Sequence, residues 1–295
     1  MNKYLIFRTD RLGDFLITLI LINSIKKNDP NSNITIVASE YNYSYVKSFK
    51  IVDNVVLLKK NLISKIKLIF KLRKVFFDQI ILHDNKERSM YISSFLKYTQ
   101  KIKINNHLNS HIEIIKDLLQ KLNFNFSFSD LNILNKKYNN FNKLKNYIVF
   151  HFDEKWFSKT YIKNYKDISP KMNDLKKFLM LLSKKTNKKI VVTTGRKSPK
   201  LLKLISNLNF NRNLIFLINQ NYLDLEKTIF NCDLLISCHG FVSHIAAANN
   251  IKQIDLIERN KKNFYRKWTC HFRNYNFLYR KNFKKLYKEI LIKIN

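Results

Sequence analysis

Short runs of consecutive apolar residues, many of them β-branched, alternate along this chain with longer stretches in which apolar positions return every three or four residues. Residues 4–7, Tyr4-Leu5-Ile6-Phe7, predict a buried strand, because an unbroken apolar run leaves neither face for water. A helix is expected over 15–25, and further strands at 34–37, 55–58 and 79–82 with helical patterns between them. The pattern loosens over 131–145, where Asn and Lys dominate. A second series of strands is then predicted at 147–150, 189–192, 214–217, 233–236 and 253–256, and a helix over 283–294 closes the chain. Such alternation predicts βαβ units, and hence parallel sheets with helices on both faces. The expectation is an α/β chain of two Rossmann-like domains, 1–140 and 141–295, with the last helix placed to pack back on the first domain.

Composition narrows the function classes. The chain has 55 Lys and Arg against 21 Asp and Glu, a formal net charge of +34, yet 45% of it is hydrophobic. That apolar content excludes a disordered polyelectrolyte. Two readings of the charge stand side by side. A compositional bias towards Lys, Asn, Ile, Phe and Tyr would produce it without any partner, and selection for a polyanion would produce it too. A field this positive attracts nucleotide phosphates, acidic glycans, anionic lipid headgroups and nucleic acid alike. No run approaches the roughly 18 apolar residues that span a bilayer. Arg8, Asp10, Arg11 and Asp14 interrupt the apolar start, so no signal peptide is expected and the protein is expected in the cytoplasm. Cys232, Cys238 and Cys270 are odd in number and lack C-x-x-C spacing, which argues against disulfides and structural zinc. Cys238, His239 and His244 lie close in sequence, but neighbouring side chains on one turn seldom converge on an ion, and no metal is expected.

The three glycines carry the most information. Gly13, Gly195 and Gly240 each follow a predicted strand and stand at or near a helix start. In a doubly wound sheet, ligands bind at that edge. Glycine there either lets a ligand approach the backbone or supplies a positive φ for the turn. Around Gly13 the chain reads Arg8-Thr9-Asp10-Arg11-Leu12-Gly13-Asp14, neither a G-x-G-x-x-G fingerprint nor a P-loop. Asp14 has two readings, a first-turn acid favoured by the helix dipole and a general base that takes a proton from a hydroxyl nucleophile.

This opening resembles that of glycosyltransferase family 9, the heptosyltransferases. The resemblance implies a GT-B fold, two Rossmann-like domains with parallel sheets facing a central cleft. It also implies inverting sugar transfer, usually heptose from ADP-heptose, without a required metal. The family's catalytic aspartate follows the motif's glycine and so falls on Asp14. Val149-Phe150-His151-Phe152-Asp153-Glu154-Lys155-Trp156 resembles the segment that opens the family's nucleotide-sugar domain, which puts the diphosphate-binding lysine at Lys155. The stretch 232–248 resembles the family's strand, D-[ST]-G-x-x-H turn and small-residue helix, with His244 and Ala246-Ala247-Ala248 matching. It departs at the acid, where His239, Gly240 and Phe241 stand for Asp, Ser/Thr and Gly. In the turn at Gly195, Arg196 and Lys197 stand where the family often has an acid. The resemblance thus implies Asp14 as the catalytic residue. Gly13, Lys155, Gly195, Arg196, His239, Gly240, Ser243 and His244 would face the donor and its phosphates, and Arg8 and Arg11 the acceptor. No cofactor is implied beyond the donor as co-substrate, expected to be an ADP-sugar.

Residues 59–77 alternate apolar positions with Lys60, Lys65, Lys67, Lys71, Arg73 and Lys74. The expectation favoured here is a Rossmann helix that buries its apolar face against its own sheet, with an anionic membrane surface as the other reading. The leading functional expectation is a glycosyltransferase with a nucleotide-sugar donor and a glycan or lipid-linked acceptor, in peripheral contact with an anionic membrane and without a nucleic-acid partner. The alternative is a non-catalytic, polyanion-binding protein on a retained GT-B scaffold.

Overall fold

The computed structural model describes residues 1–131, 146–195, 198–208 and 211–294. The chain forms two compact units, Met1–Asn139 and Asn140–Asn295.

Unit 1 begins with β1 (Lys3–Arg8), α1 (Leu12–Asn28), β2 (Asn33–Ser39), α2 (Tyr43–Lys47) and β3 (Asn54–Leu58). It continues with α3 (Leu62–Arg73), β4 (Phe76–Leu82), α4 (Glu87–Ser94), β5 (Lys97–Lys103) and α5 (His111–Lys121). Among the described residues its sheet is parallel throughout, in the order β3-β2-β1-β4-β5. β1 lies at the centre and buries Tyr4, Leu5, Ile6 and Phe7, as its unbroken apolar run requires. α1 is apolar on every side, and between Leu12 and Ile25 only Asp14 is not buried. A helix hydrophobic all round must lie inside the protein.

Two expectations about unit 1 change. β5 was not foreseen: only Ile102 in it is buried, and its lysines break the alternation that reveals a strand. It is an edge strand, where charge guards against pairing with other chains. α3 does not bury the apolar face expected of it. Leu68 and Leu72 turn inward, while Leu62, Ile63, Ile66 and Phe70 are exposed.

Unit 2 runs through β6 (Tyr147–His151), α6 (Lys159–Ile162), α7 (Met172–Thr186), β7 (Lys189–Thr193), α8 (Lys200–Ser206) and β8 (Leu214–Leu217). Then come α9 (Tyr222–Phe230), β9 (Leu234–Cys238), α10 (Phe241–Ala248), β10 (Lys252–Ile257), α11 (Lys262–Thr269), β11 (Tyr275–Tyr279) and α12 (Phe283–Lys293). Its described strands form a second parallel sheet in the order β11-β10-β9-β6-β7-β8. The edge strand β11, half-buried along its whole length, was also not foreseen. Phe150 and Trp156 meet edge to face at 5.2 Å, and Phe178 meets Phe283 at 5.8 Å. α12 buries Phe283, Leu286, Tyr287 and Ile290 in the core of its own unit.

None of the glycines lies in the left-handed region, and Gly240 is extended at φ 174°, so left-handed turn geometry does not explain them. Asparagines take those positions instead: Asn85, Asn123, Asn146, Asn187, Asn219 and Asn250 all lie between φ 47° and 107°. Asn123 and Asn250 end helices in the left-handed conformation, with Phe124 N–H donating to Leu119 O and Ile251 N–H to Ala246 O, both at 2.8 Å.

Candidate functional site

In each sheet the strand order reverses direction beside the unit's first strand, and ligands of doubly wound folds bind outside the carboxyl ends at such a point. In unit 2 this point lies between β6 and β9, so the residues after those strands converge there. After β6, Asp153 Oδ2 pairs with Lys155 Nζ at 2.5 Å. Burial works against both charges, yet their mutual attraction holds the Asp153 carboxyl below its ordinary range and the Lys155 ammonium above its own. His151, beneath them, shares a hydrogen with Thr193 Oγ1 at 2.9 Å through Nδ1. Desolvation pushes its pKa down to about 4, despite the nearby Asp153, so this imidazole is neutral.

After β9 the turn passes Gly240 directly beneath that lysine: a Cβ on residue 240 would stand 2.6 Å from Lys155 Nζ. Gly240 therefore makes room for the Lys155 side chain, a protein group rather than the ligand expected to approach there. α10 starts immediately afterwards and turns its first backbone N–H groups towards this edge, a place suited to anions. Gly195, at the end of β7, also borders the site, since a Cβ there would lie 3.4 Å from Glu154 Oε2. Arg196 lies outside the described residues.

The departure at His239 acquires a partner invisible in the sequence motif. Its Nδ1 lies 2.5 Å from Oδ2 of Asp255, a fully buried carboxylate on β10. Ser243 Oγ donates to the other oxygen of Asp255 at 2.8 Å and accepts from Gly240 N–H at 3.2 Å. Ser243, expected to face the donor, is fully buried and braces the turn instead. His244, expected there too, is buried edge to face against Trp268 and Phe272, at 5.8 and 5.5 Å. Arg280, at the end of β11, is buried with Nε donating to Leu256 O at 3.3 Å.

In unit 1 the reversal lies between β1 and β4. Gly13 is buried in the first turn of α1, next to the half-buried Asp14. Asp14 Oδ2 accepts from Arg11 N–H at 2.9 Å, while Oδ1 takes no hydrogen bond among the described residues. Desolvation raises the Asp14 pKa, against the pull of the Arg8 guanidinium. Arg8, expected at the acceptor, is buried: its Nε donates to Asp14 O at 2.9 Å and its Nη1 to His83 O at 2.7 Å. It clamps the β1–α1 turn to β4. Arg11 is exposed. After β4, Asp84 Oδ2 accepts from Thr9 Oγ1 at 2.5 Å and from Ser89 Oγ at 2.8 Å, and Arg88 Nη2 donates to Thr9 Oγ1 at 2.7 Å. His83, buried beside Thr18, is held neutral by desolvation well below its usual pKa.

His83, Asp84, Arg88, Asp153 and Asp255 were not singled out in the sequence. The signal existed for Asp255, an acid between the apolar Ile254 and Leu256, but its partner just after β9 becomes visible only with the pairing of Asp255 to Ser237. Among the described residues, no three His, Cys, Asp or Glu side chains gather as a metal would need.

No family model and no curated protein matches the chain. Solved structures do. The chain is similar to E. coli heptosyltransferase WaaC with ADP-2-deoxy-2-fluoro heptose, at 13% identity and TM-score 0.71, over 99% of each chain. E. coli ADP-heptose lps heptosyltransferase II matches at 13% identity and TM-score 0.71, over 100% of this chain and 98% of that one. A glycosyl transferase of family 9 from Veillonella parvula matches at 13% identity and TM-score 0.71, over 98% and 89%. At such identity the likeness speaks for architecture. Its two parallel α/β units, in their order and over nearly their whole length, give this chain the GT-B fold of the heptosyltransferases and of glycosyltransferase family 9.

Proposed function

We propose that this chain is an inverting glycosyltransferase, moving a sugar from a nucleoside diphosphate donor to a hydroxyl of a glycan or lipopolysaccharide-type acceptor. The observation that carries the reading is the Asp14 carboxylate: fixed at a helix start beside a reversal point, one oxygen held by the backbone, its basicity raised by burial. Such a group suits proton abstraction. In the transfer, the acceptor oxygen attacks the anomeric carbon, its proton goes to Asp14, and the bond from that carbon to the β-phosphate oxygen breaks with inversion. Lys155 and the start of α10 stabilise the diphosphate as it takes up negative charge, a role that charge-assisted donors fill without a metal. His239, oriented by Asp255, stands where it can meet a phosphate or a sugar hydroxyl.

An ADP-sugar is the proposed donor, a choice supported by the ADP-2-deoxy-2-fluoro heptose that accompanies one structural neighbour, the E. coli heptosyltransferase WaaC. A lipid-linked acceptor would bring the enzyme to the inner face of the cytoplasmic membrane, as a peripheral protein.

The test is thermal denaturation against a panel of nucleoside diphosphates and their sugars. A ligand at 100 times its Kd stabilises the fold by about 2.7 kcal/mol. ADP or an ADP-sugar should raise the melting temperature above the other nucleotides. No shift with any nucleotide would defeat the proposal.

A further inference from the structure

The outer surface of α3 is built unlike that of an ordinary Rossmann helix. Leu68 and Leu72 join the core of unit 1, and so define the inward direction. Phe70, two residues from each, lies about 160° round the helix from both. Leu62, Ile63, Ile66 and Phe70 are 68%, 68%, 44% and 63% exposed. The helix thus has a second apolar strip on the side opposite its buried one. Lys67, Lys71 and Lys74 border that strip and are exposed, and no Asp or Glu occurs anywhere from 54 to 77. The surface extends beyond one helix. Ile92 and Leu96, in and just after α4, enter the same core as Leu68 and Leu72, so both helices cover the same face of the sheet. Tyr91 and Phe95, on the outer side of that layer, are 64% and 44% exposed.

We infer that α3 lies on an anionic lipid bilayer, with Leu62, Ile63, Ile66 and Phe70 in the boundary between headgroups and acyl chains. A contiguous exposed apolar patch marks an interaction site. A strip of Leu, Ile and Phe rimmed by lysines fits the plane of a membrane interface, where the lysine stems lie on apolar surface and their ammonium groups reach the phosphates. A nucleic acid would satisfy the cations and leave the apolar strip in water. A second copy of the chain would cover the strip but set two unbroken cationic rims against each other. The inference rests on the surface of unit 1 alone, so it and the transferase reading can fail separately.

Flotation with vesicles of phosphatidylglycerol and phosphatidylethanolamine tests it, beside phosphatidylcholine vesicles and at low and high salt. The protein should float with the anionic vesicles and less so as salt rises. Leu62→Ser/Ile66→Ser/Phe70→Ser, which alters no charge and touches no core residue, should weaken partitioning at least about tenfold. Lys67→Gln/Lys71→Gln/Lys74→Gln should weaken it about fivefold per lysine removed. Lys177→Gln/Lys184→Gln/Lys185→Gln, the same charge loss on α7, should change it little. Phe70→Trp should be quenched by bromine on the acyl chains. Parental binding by the serine variant, or equal losses from the α7 variant, would overturn the inference in favour of diffuse attraction. A parent that does not float, and that is a dimer dissociated by the serine substitutions, would assign the strip to an interface between copies.

Discussion

Asp14 illustrates how one side chain serves both local structure and chemistry. Its Oδ2 caps the backbone at Arg11, and burial raises its pKa. For an acid whose folded pKa is raised, the stabilising form is the neutral one, and its contribution is lost as pH rises through the folded value. Ionised Asp14 is therefore a cost to the fold at neutral pH. Asp14→Asn should melt no lower than the parent at pH 7, bind nucleotide alike, and slow transfer by about 10²–10⁴-fold. A full single-turnover rate in that variant would remove Asp14 from the chemistry. At the other site, Lys155→Ala should weaken nucleoside diphosphate binding, because a charge-assisted contact is lost. Asp255→Asn should weaken it as well, since His239 then loses the carboxylate that orients it. Calorimetric titration of each variant checks both, and unchanged affinity would return the residue in question to the framework.

Among the elements, the turn from β9 into α10 carries most of the consequence. A methyl group at residue 240 would fall within 2.6 Å of Lys155 Nζ, and that ammonium, at the end of a flexible stem, is the part that can move. Gly240→Ala should fold with nearly parental stability and bind a nucleoside diphosphate more weakly, in common with Lys155→Ala. Adding Gly240→Ala to Lys155→Ala should then have little further effect, which a double-mutant cycle would read directly. The strands on either side of this turn were legible because central parallel strands, covered on both faces, write themselves as unbroken apolar runs. β5 and β11 were not: at these edges, half in water, β5 carries three lysines and β11 an asparagine among tyrosines, whereas the edge strands β3 and β8 keep apolar runs. The same physics hid the site's supports. The residues of the Asp14 motif follow one another in sequence, as do those around Gly240, whereas Asp84 and Asp255 reach Thr9 and His239 only through the order of strands in the two sheets. Misreading α3 had a different origin. Its apolar residues occupy two opposite sides, and a periodic pattern alone does not say which of them meets the core.

Across the whole molecule, buried neutral histidines set the response to acid. His151 and His271 both have pKa values lowered to about 4 by desolvation, and that of His83 lies well below its ordinary value. A group whose folded pKa is depressed favours the fold above its unfolded pKa, near 6.5 for histidine, and this is lost as pH falls towards the folded value. Stability should therefore decline between pH 6.5 and about 4, by up to about 1.4 kcal/mol per pH unit for each such group. Urea denaturation across that range measures it, and His151→Gln should flatten the slope; a parent with constant stability from pH 7 to 4 would contradict the account. The left-handed positions of the backbone lead elsewhere. Among the described residues asparagine takes six of them and glycine none, so the chain has separated two tasks that glycine usually combines. Asn187→Gly should be nearly neutral, whereas Asn187→Ala should cost about 1–2 kcal/mol, the strain of an ordinary side chain in that conformation. The chain in this way keeps left-handed helix endings without glycine, and at Gly240 places a glycine where bulk, not handedness, is at issue.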